Sequence, residues 1–74
     1  MVNHNFAEFN HNLTRYVVRQ LDVYQNGVLK FEVLWSIYYN QRLQNTRTKV
    51  FDSEQKCNEY YKIVLNNIVN HLPV

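Results

Sequence analysis

The sequence predicts a small α+β domain of helix–β-hairpin–helix (αββα) order, with two helices on one face of a short antiparallel sheet. Three apolar patterns carry this prediction. Over residues 6–24 and 57–72 the apolar residues recur at intervals of three and four, as on one side of a helix, whereas over residues 28–39 they alternate with a period of two, as in a strand. Because a two-stranded ribbon is unstable alone in water, we expect both helices to cover one of its faces.

The first predicted helix covers residues 6–24, where the apolar side chains fall in a single arc on a helical wheel. Asn5 is a favourable N-cap, and Glu8 three residues later can complete a capping box. The Asn26-Gly27 pair offers residue types that tolerate a left-handed C-cap. The arc contains Phe6, Phe9, Leu13, Tyr16, Val17, Leu21 and Tyr24.

A strand over residues 15–24 is the alternative for the second half of this segment. It would form a hairpin through residues 25–27, because Asn-Gly between apolar runs is a hairpin signal. The strand would place Arg19 among Val17, Leu21 and Val23, whereas the helix keeps the charged residues on one side. We therefore expect the helix.

Residues 28–39 predict the clearest strand, rich in β-branched and aromatic residues. Trp35 should lie near the centre of the core, and the opposite face should remain open. A polar, basic loop is expected to follow over residues 40–45, before a second antiparallel strand over residues 46–51. The core face would contain Leu29, Phe31, Val33, Trp35, Ile37 and Tyr39, and the open face Val28, Lys30, Glu32, Leu34, Ser36 and Tyr38.

A second helix is predicted after a cap at Asp52 or Ser53, and Pro73 can end it. Ile63 and Val69 lie outside its apolar arc, so we expect them at the surface. The arc contains Cys57, Tyr60, Tyr61, Val64, Leu65, Ile68 and Leu72.

Length and composition restrict the class of protein. With 74 residues, a net charge of +2 and 46 % hydrophobic residues, we expect one folded domain over residues 1–74 and no multi-domain enzyme. No apolar run is long enough for a membrane span or a secretory signal, and the single Cys57 cannot form an internal disulfide, so a cytoplasmic location is expected. The 11 Asn and 6 Tyr against one Gly and one Pro indicate an A+T-rich source such as a phage or mobile element.

No constellation for catalysis, metal binding or a cofactor is apparent, and we expect none. A single glycine cannot make a phosphate-binding loop, and Cys57 lies within an apolar arc, remote in sequence from His71. Residues 22–31 resemble the start of an EF-hand calcium loop, but Tyr24 and Val33 stand where oxygen ligands are required.

Two binding functions remain. The first is a small regulator or inhibitor that binds a protein partner through the open sheet face and the loop over residues 40–49, with a homodimer as a further possibility. Eleven aromatic residues exceed what one small core holds, so Tyr38 and one of Tyr60 and Tyr61 should be partly exposed. The partner-binding residues of this hypothesis are Leu34, Tyr38, Arg42, Arg47 and Lys49.

The alternative function is DNA or RNA binding through a basic stripe with polar neighbours. A net charge of only +2 is mild for a dedicated nucleic-acid binder, so the protein partner is the preferred hypothesis. Binding to phosphates would weaken steeply with salt, which separates the two hypotheses. The stripe would contain Arg15, Arg19, Arg42, Arg47 and Lys49.

Overall fold

The protein is a four-stranded antiparallel sheet followed by one helix. The computed structural model describes residues 2–71, with side chains over residues 5–71. The strands lie in the order β1-β2-β3-β4, and each neighbouring pair is antiparallel. The α+β class is confirmed, but the αββα order with two helices is wrong. The elements are β1 (Val2–His11), β2 (Thr14–Gln25), β3 (Val28–Tyr39), β4 (Arg42–Phe51) and α1 (Glu54–His71).

The predicted first helix is replaced by β1 and β2. Asn12, with a φ of 53°, begins the two-residue turn that joins them. Asn5, the expected N-cap, lies instead within β1. The apolar residues at helical spacing are distributed over both faces of two strands, and β2 pairs with β3 over twelve positions. Backbone pairing with the adjacent strand therefore outweighs the helical pattern, and the strand alternative for residues 15–24 was the correct one.

Three asparagines begin the three turns of the sheet. Asn12, Asn26 and Asn40 have φ of 53°, 53° and 52°, and each is the first residue of a two-residue turn. The second residues Gly27 and Gln41 also have positive φ, 79° and 66°, as type I′ hairpin turns require. The predicted loop over residues 40–49 is thus wrong, because the turn occupies two residues and β4 follows at once.

Strand β3 has the predicted bounds and the predicted faces. Val33 is fully buried, and Phe31 and Trp35 pack against the same core cluster. Strand β4 is longer than predicted and has a bulge where its pairing shifts between Ile37 and Tyr38. Val18 of β2 and the β3 residues Phe31, Val33 and Trp35 form the sheet side of the core.

Helix α1 is the predicted second helix. The backbone amide of Lys56 donates to the Oγ of Ser53 at 3.4 Å, which identifies Ser53 as the N-cap. Ile63 and Val69 are exposed as expected. Pro73 and the arc residue Leu72 lie outside the described residues. The helix residues in the core are Cys57, Tyr61 and Val64, with Tyr60, Leu65 and Ile68 partly buried beside them.

Candidate docking surface

Helix α1 covers one side of the sheet and leaves the other side open. Val18 and Val33 pack against the helix, so the side chains that alternate with them in each strand point away from it. We call this helix-free side the open face. By strand register it contains Phe6, Glu8, Arg15, Arg19, Leu34, Ser36, Tyr38, Leu43, Thr46 and Thr48.

Arg15 and Tyr38 are in cation–π contact on the open face. They are directly opposed in β2 and β3, and the guanidinium carbon lies 4.6 Å from the ring centroid. Glu8 on β1 places a carboxylate oxygen 3.8 Å from Nη1 of Arg15. The ring and the carboxylate both attract the positive charge of Arg15 and favour this position of its guanidinium group.

A second stacked arginine lies four residues further along β2. Arg19 is opposed by Phe6 on β1 and by Leu34 on β3, and its guanidinium carbon lies 5.4 Å from the Phe6 ring centroid. Phe6 is 55 % exposed, as is Leu43 at the other edge of the face. Two arginines therefore lie beside exposed apolar side chains on one surface.

Aliphatic residues form the base of the open face. Val17, Leu21 and Val23 belong to this face by alternation, yet all three are buried. Val17 is flanked along the strand by Arg15 and Arg19, whose long stems can cover apolar surface while their charged ends remain in water. The face therefore presents guanidinium groups above an apolar layer.

A groove of about 480 Å³ lies at one end of the open face. The backbone amide of Asn40 donates to the carbonyl of Leu13 at 2.9 Å, which ties together the two turns that form its floor. Its lining has one cation and no carboxylate. It consists of Asn10, Asn12, Leu13, Thr14, Arg15, Tyr38, Asn40 and Gln41.

The five basic residues expected to form one stripe lie on two sides of the sheet. Arg15 and Arg19 are on the open face. Lys49 is on the helix side, where its Nζ lies 4.9 Å from the ring centroid of Tyr60. Arg47 and Arg42 share that side by register, because they are opposed by Trp35 and Tyr39 of β3. Among the predicted partner-binding residues, only Leu34 and Tyr38 share the open face.

Among residues 5–71 no group of three or more His, Cys, Asp or Glu side chains is placed to hold a metal ion. Burial raises the pKa of the Cys57 thiol, which reduces the fraction of reactive thiolate at neutral pH. The described part of the chain also has no helix that is both long enough and apolar enough to cross a membrane.

Sequence reasoning did not identify Phe6, Leu43 or the groove as parts of the site. Phe6 was assigned to the core of a helix that does not form, and the groove depends on two turns that were not predicted. A signal was present, because Asn12, Asn26 and Asn40 are 14 residues apart and mark equal strand-and-turn units.

Comparison of this chain with protein-family models, with curated proteins and with solved structures finds no match.

Proposed function

We propose that this protein is a small non-catalytic regulator or inhibitor that acts by binding a protein partner on its open face. The supporting observation is the pair of stacked arginines, Arg15 on Tyr38 and Arg19 on Phe6, beside exposed apolar side chains. Arginine and aromatic residues are the side chains most enriched at protein interfaces and at their energetic centres. The open face concentrates both types on neighbouring rows of one rigid sheet.

Contacts within the open face reduce the entropy that its side chains lose when a partner binds. A free arginine loses rotamer freedom when a partner fixes it, whereas Arg15 is already held by Tyr38 and Glu8. Tyr38 is also half-buried, so its ring needs little further ordering. Because less entropy is lost on association, a larger part of the contact energy remains as affinity.

The charges of the open face support a protein partner over a polyanion. By register its cations are Arg15, Arg19 and Lys30, and its anions are Glu8 and Glu32. This near balance suits the mixed charges of a protein surface. Dedicated nucleic-acid interfaces, in contrast, are strongly positive.

The test is differential capture of a partner from the cells in which the protein is expressed. We expect one protein to be retained by the wild type and to be retained at least tenfold less by Tyr38→Ala and by Arg15→Ala, since truncating a central interface residue costs about 2 kcal/mol or more. Ile63→Ala is the matched control, because Ile63 is 52 % exposed on α1, away from the open face. Equal retention by all four proteins would contradict the proposal.

A second copy of the chain is the other occupant that this experiment must distinguish. Sedimentation of the wild type and of Tyr38→Ala separates the two cases. A wild-type dimer that Tyr38→Ala dissociates would replace the regulator function with self-association through the same face.

Nucleic-acid binding is a second candidate function, favoured by the common side of Arg42, Arg47 and Lys49 on β4. Three phosphate contacts give a slope of roughly −2 to −3 in a plot of log K against log salt. Fluorescence anisotropy with a 20-nucleotide single strand at two salt concentrations measures it. Arg47→Ala should reduce the slope by about 1, whereas absence of binding at low salt removes this candidate.

A further inference from the structure

We propose that the outer edge of β4 takes an acidic extended segment of a partner protein as a fifth strand. This edge adjoins the open face and shares Thr46 and Thr48 with it, but the proposal does not depend on the function proposed there.

Strand β4 has a free edge that is long and regular. Within the described chain it pairs with β3 alone, and every residue from Arg42 to Val50 is exposed. After the bulge near its start, seven consecutive residues keep regular register with β3, from Asn45 to Phe51. A typical strand has five or six residues, so this run is long enough to pair with a whole added strand. Its outward N–H and C=O groups are a template for that pairing.

The charges of β4 select the kind of strand that can be added. The sequence has no Asp or Glu between Glu32 and Asp52, whereas β4 contributes Arg42, Arg47 and Lys49. Arg47 and Lys49 are two residues apart on the same side, about 7 Å along the strand. Carboxylates at alternate positions of an added strand would lie opposite them, at the distance where opposite charges stabilise a pair of strands.

The same charges disfavour a second copy of β4. Antiparallel pairing of two β4 edges centred on Thr48 would bring Arg47 of one copy opposite Lys49 of the other, and like charges directly opposed are destabilising. Charged edge strands are a common way to prevent such self-pairing. In this register the pairing of two β4 edges is therefore disfavoured, whereas the pairing of β4 with an acidic strand is favoured.

An extended peptide fits this edge better than a nucleic acid does. Phosphates could match the three cations, but they would make no use of the outward N–H and C=O groups of the strand, which would stay bonded to water. A peptide strand satisfies the backbone groups and the charges together.

The side chains of β4 on the open-face side predict the remaining residues of the ligand strand. Thr46 and Thr48 lie on the open-face side by register, opposed by Ser36 and Leu34 of β3. Thr46 Oγ1 is 3.2 Å from the Oγ of Ser36, which fixes the orientation of the threonine. β-Branched side chains pack well across strands. The expected ligand segment thus alternates acidic residues on the helix side with β-branched residues on the other side.

The test uses the full chain, labelled with ¹⁵N, and a nine-residue peptide that alternates glutamate with threonine and valine. We expect the amide signals of residues 45–50 to shift on titration, and hydrogen exchange to slow at the alternate residues whose N–H groups point away from β3. Arg47→Glu combined with Lys49→Glu should reduce affinity for this peptide at least tenfold and confer affinity for the same peptide with lysine in place of glutamate. Lys62→Glu on the exposed side of α1 is the matched charge control and should change affinity less than twofold.

Two further measurements make the proposal refutable. The glutamate peptide with an N-methyl group on every residue retains its charges but has no backbone donors, and it should not bind. Equal binding of this peptide, equal binding of the lysine peptide by the wild type, or no binding of the glutamate peptide at 1 mM would overturn the proposal. Tighter binding of an oligothymidylate that displaces the glutamate peptide would assign the edge to nucleic acid instead.

Additional variants show whether a loss of peptide binding comes from unfolding of the protein or from a change in the open face. The dispersion of the amide spectrum shows whether the double-glutamate variant is folded, and Arg47→Gln with Lys49→Gln, which should also weaken binding at least fivefold, replaces it if it is not. Tyr38→Ala should bind the peptide as the wild type does. Failure of the open-face function would therefore leave this result unchanged.

Discussion

The side-chain amide of Gln20 joins the sheet to the helix through Cys57, with Nε2 donating to Sγ at 3.5 Å. The same nitrogen donates to Oδ1 of Asn58, and Oε1 accepts from Nδ2 of Asn5 at 2.6 Å. Gln20 is only 1 % exposed, so its polar atoms depend on these partners. One buried side chain thus connects β1, β2 and α1, and it defines how the helix is positioned on the sheet.

Gln20→Ala is expected to destabilise the protein by about 2 kcal/mol, because the hydrogen bonds to Asn5, Cys57 and Asn58 are lost and a cavity is left. Urea unfolding measures the change in free energy. Gln25→Ala is the control at an exposed position of the same strand and should stay within about 0.5 kcal/mol of the wild type. A Gln20→Ala variant as stable as that control would show that the amide is not a structural link.

The stability of the protein should fall at alkaline pH. Burial raises the pKa of the Cys57 thiol and of the Tyr61 hydroxyl above their ordinary values. An acid whose pKa is higher in the folded state favours folding fully below its unfolded pKa, and this contribution is lost as the pH rises through the folded pKa. We therefore expect the free energy of unfolding to decline from about pH 8.5, where a free thiol begins to ionise.

Urea unfolding at pH 7, 8, 9 and 10 measures this decline. Cys57→Ala should flatten its first part, and Tyr61→Phe should flatten the part near pH 10. Tyr24→Phe is the matched control because Tyr24 is 70 % exposed, and its pH profile should follow the wild type. Parallel profiles for all three variants and the wild type would refute the assignment to these buried groups.

The elements that could be predicted are those whose apolar residues follow a single period, two for a strand or three to four for a helix. Strand β3 alternates over twelve residues, and α1 has a continuous apolar arc preceded by Ser53, so local spacing sufficed for both. Residues 6–24 contain apolar side chains on both faces of two strands, and such a set can also satisfy a helical wheel. Pairing of β2 with β3 decides between them, and the local signal for that pairing was the Asn26-Gly27 turn rather than the spacing of the apolar residues.

The candidate site could likewise be predicted only in part. Leu34 and Tyr38 could be placed on the open face because their strand alternates cleanly. The side reached by Arg47 and Lys49 depends on the length of the turn at Asn40 and on the bulge that follows it. An error of one residue in either would invert the face of every later side chain, so the grouping of the cations required the structure.

The contact between Arg15 and Tyr38 should be measurable in the free protein. A double-mutant cycle with Arg15→Ala and Tyr38→Ala is expected to give a coupling free energy of about 0.5–1 kcal/mol in urea unfolding, as for an exposed cation–π pair. Arg19 provides the control, because its ring partner is Phe6, and its coupling to Tyr38 should be near zero. Equal coupling in the two cycles would mean that the arginine is not held by the ring.

Substitution of the second turn residue should lower the stability of the protein at the Asn26 turn and raise it at the Asn40 turn. Gly27 has a φ of +79°, and a Cβ there would meet no atom within 4 Å, so Gly27→Ala should destabilise through backbone strain alone, by about 1 kcal/mol. Gln41 has a φ of 66° at the corresponding position of the β3–β4 turn. Gln41→Gly relieves that strain and should stabilise the protein by about 0.5 kcal/mol, since part of the gain is offset by the greater freedom of glycine in the unfolded chain.

Thermal and urea unfolding of both variants measure these two shifts, and Gln44→Gly is the control. Gln44 is the extra residue of the β4 bulge and does not have a positive φ, so glycine relieves no left-handed strain there and should destabilise through its greater freedom in the unfolded chain. Stabilisation by Gln41→Gly together with destabilisation by Gln44→Gly identifies the turn residue as the source of strain. If Gln41→Gly destabilises as much as Gln44→Gly does, the left-handed backbone at Gln41 carries no strain, and the Asn40 turn is not equivalent to the Asn26 turn.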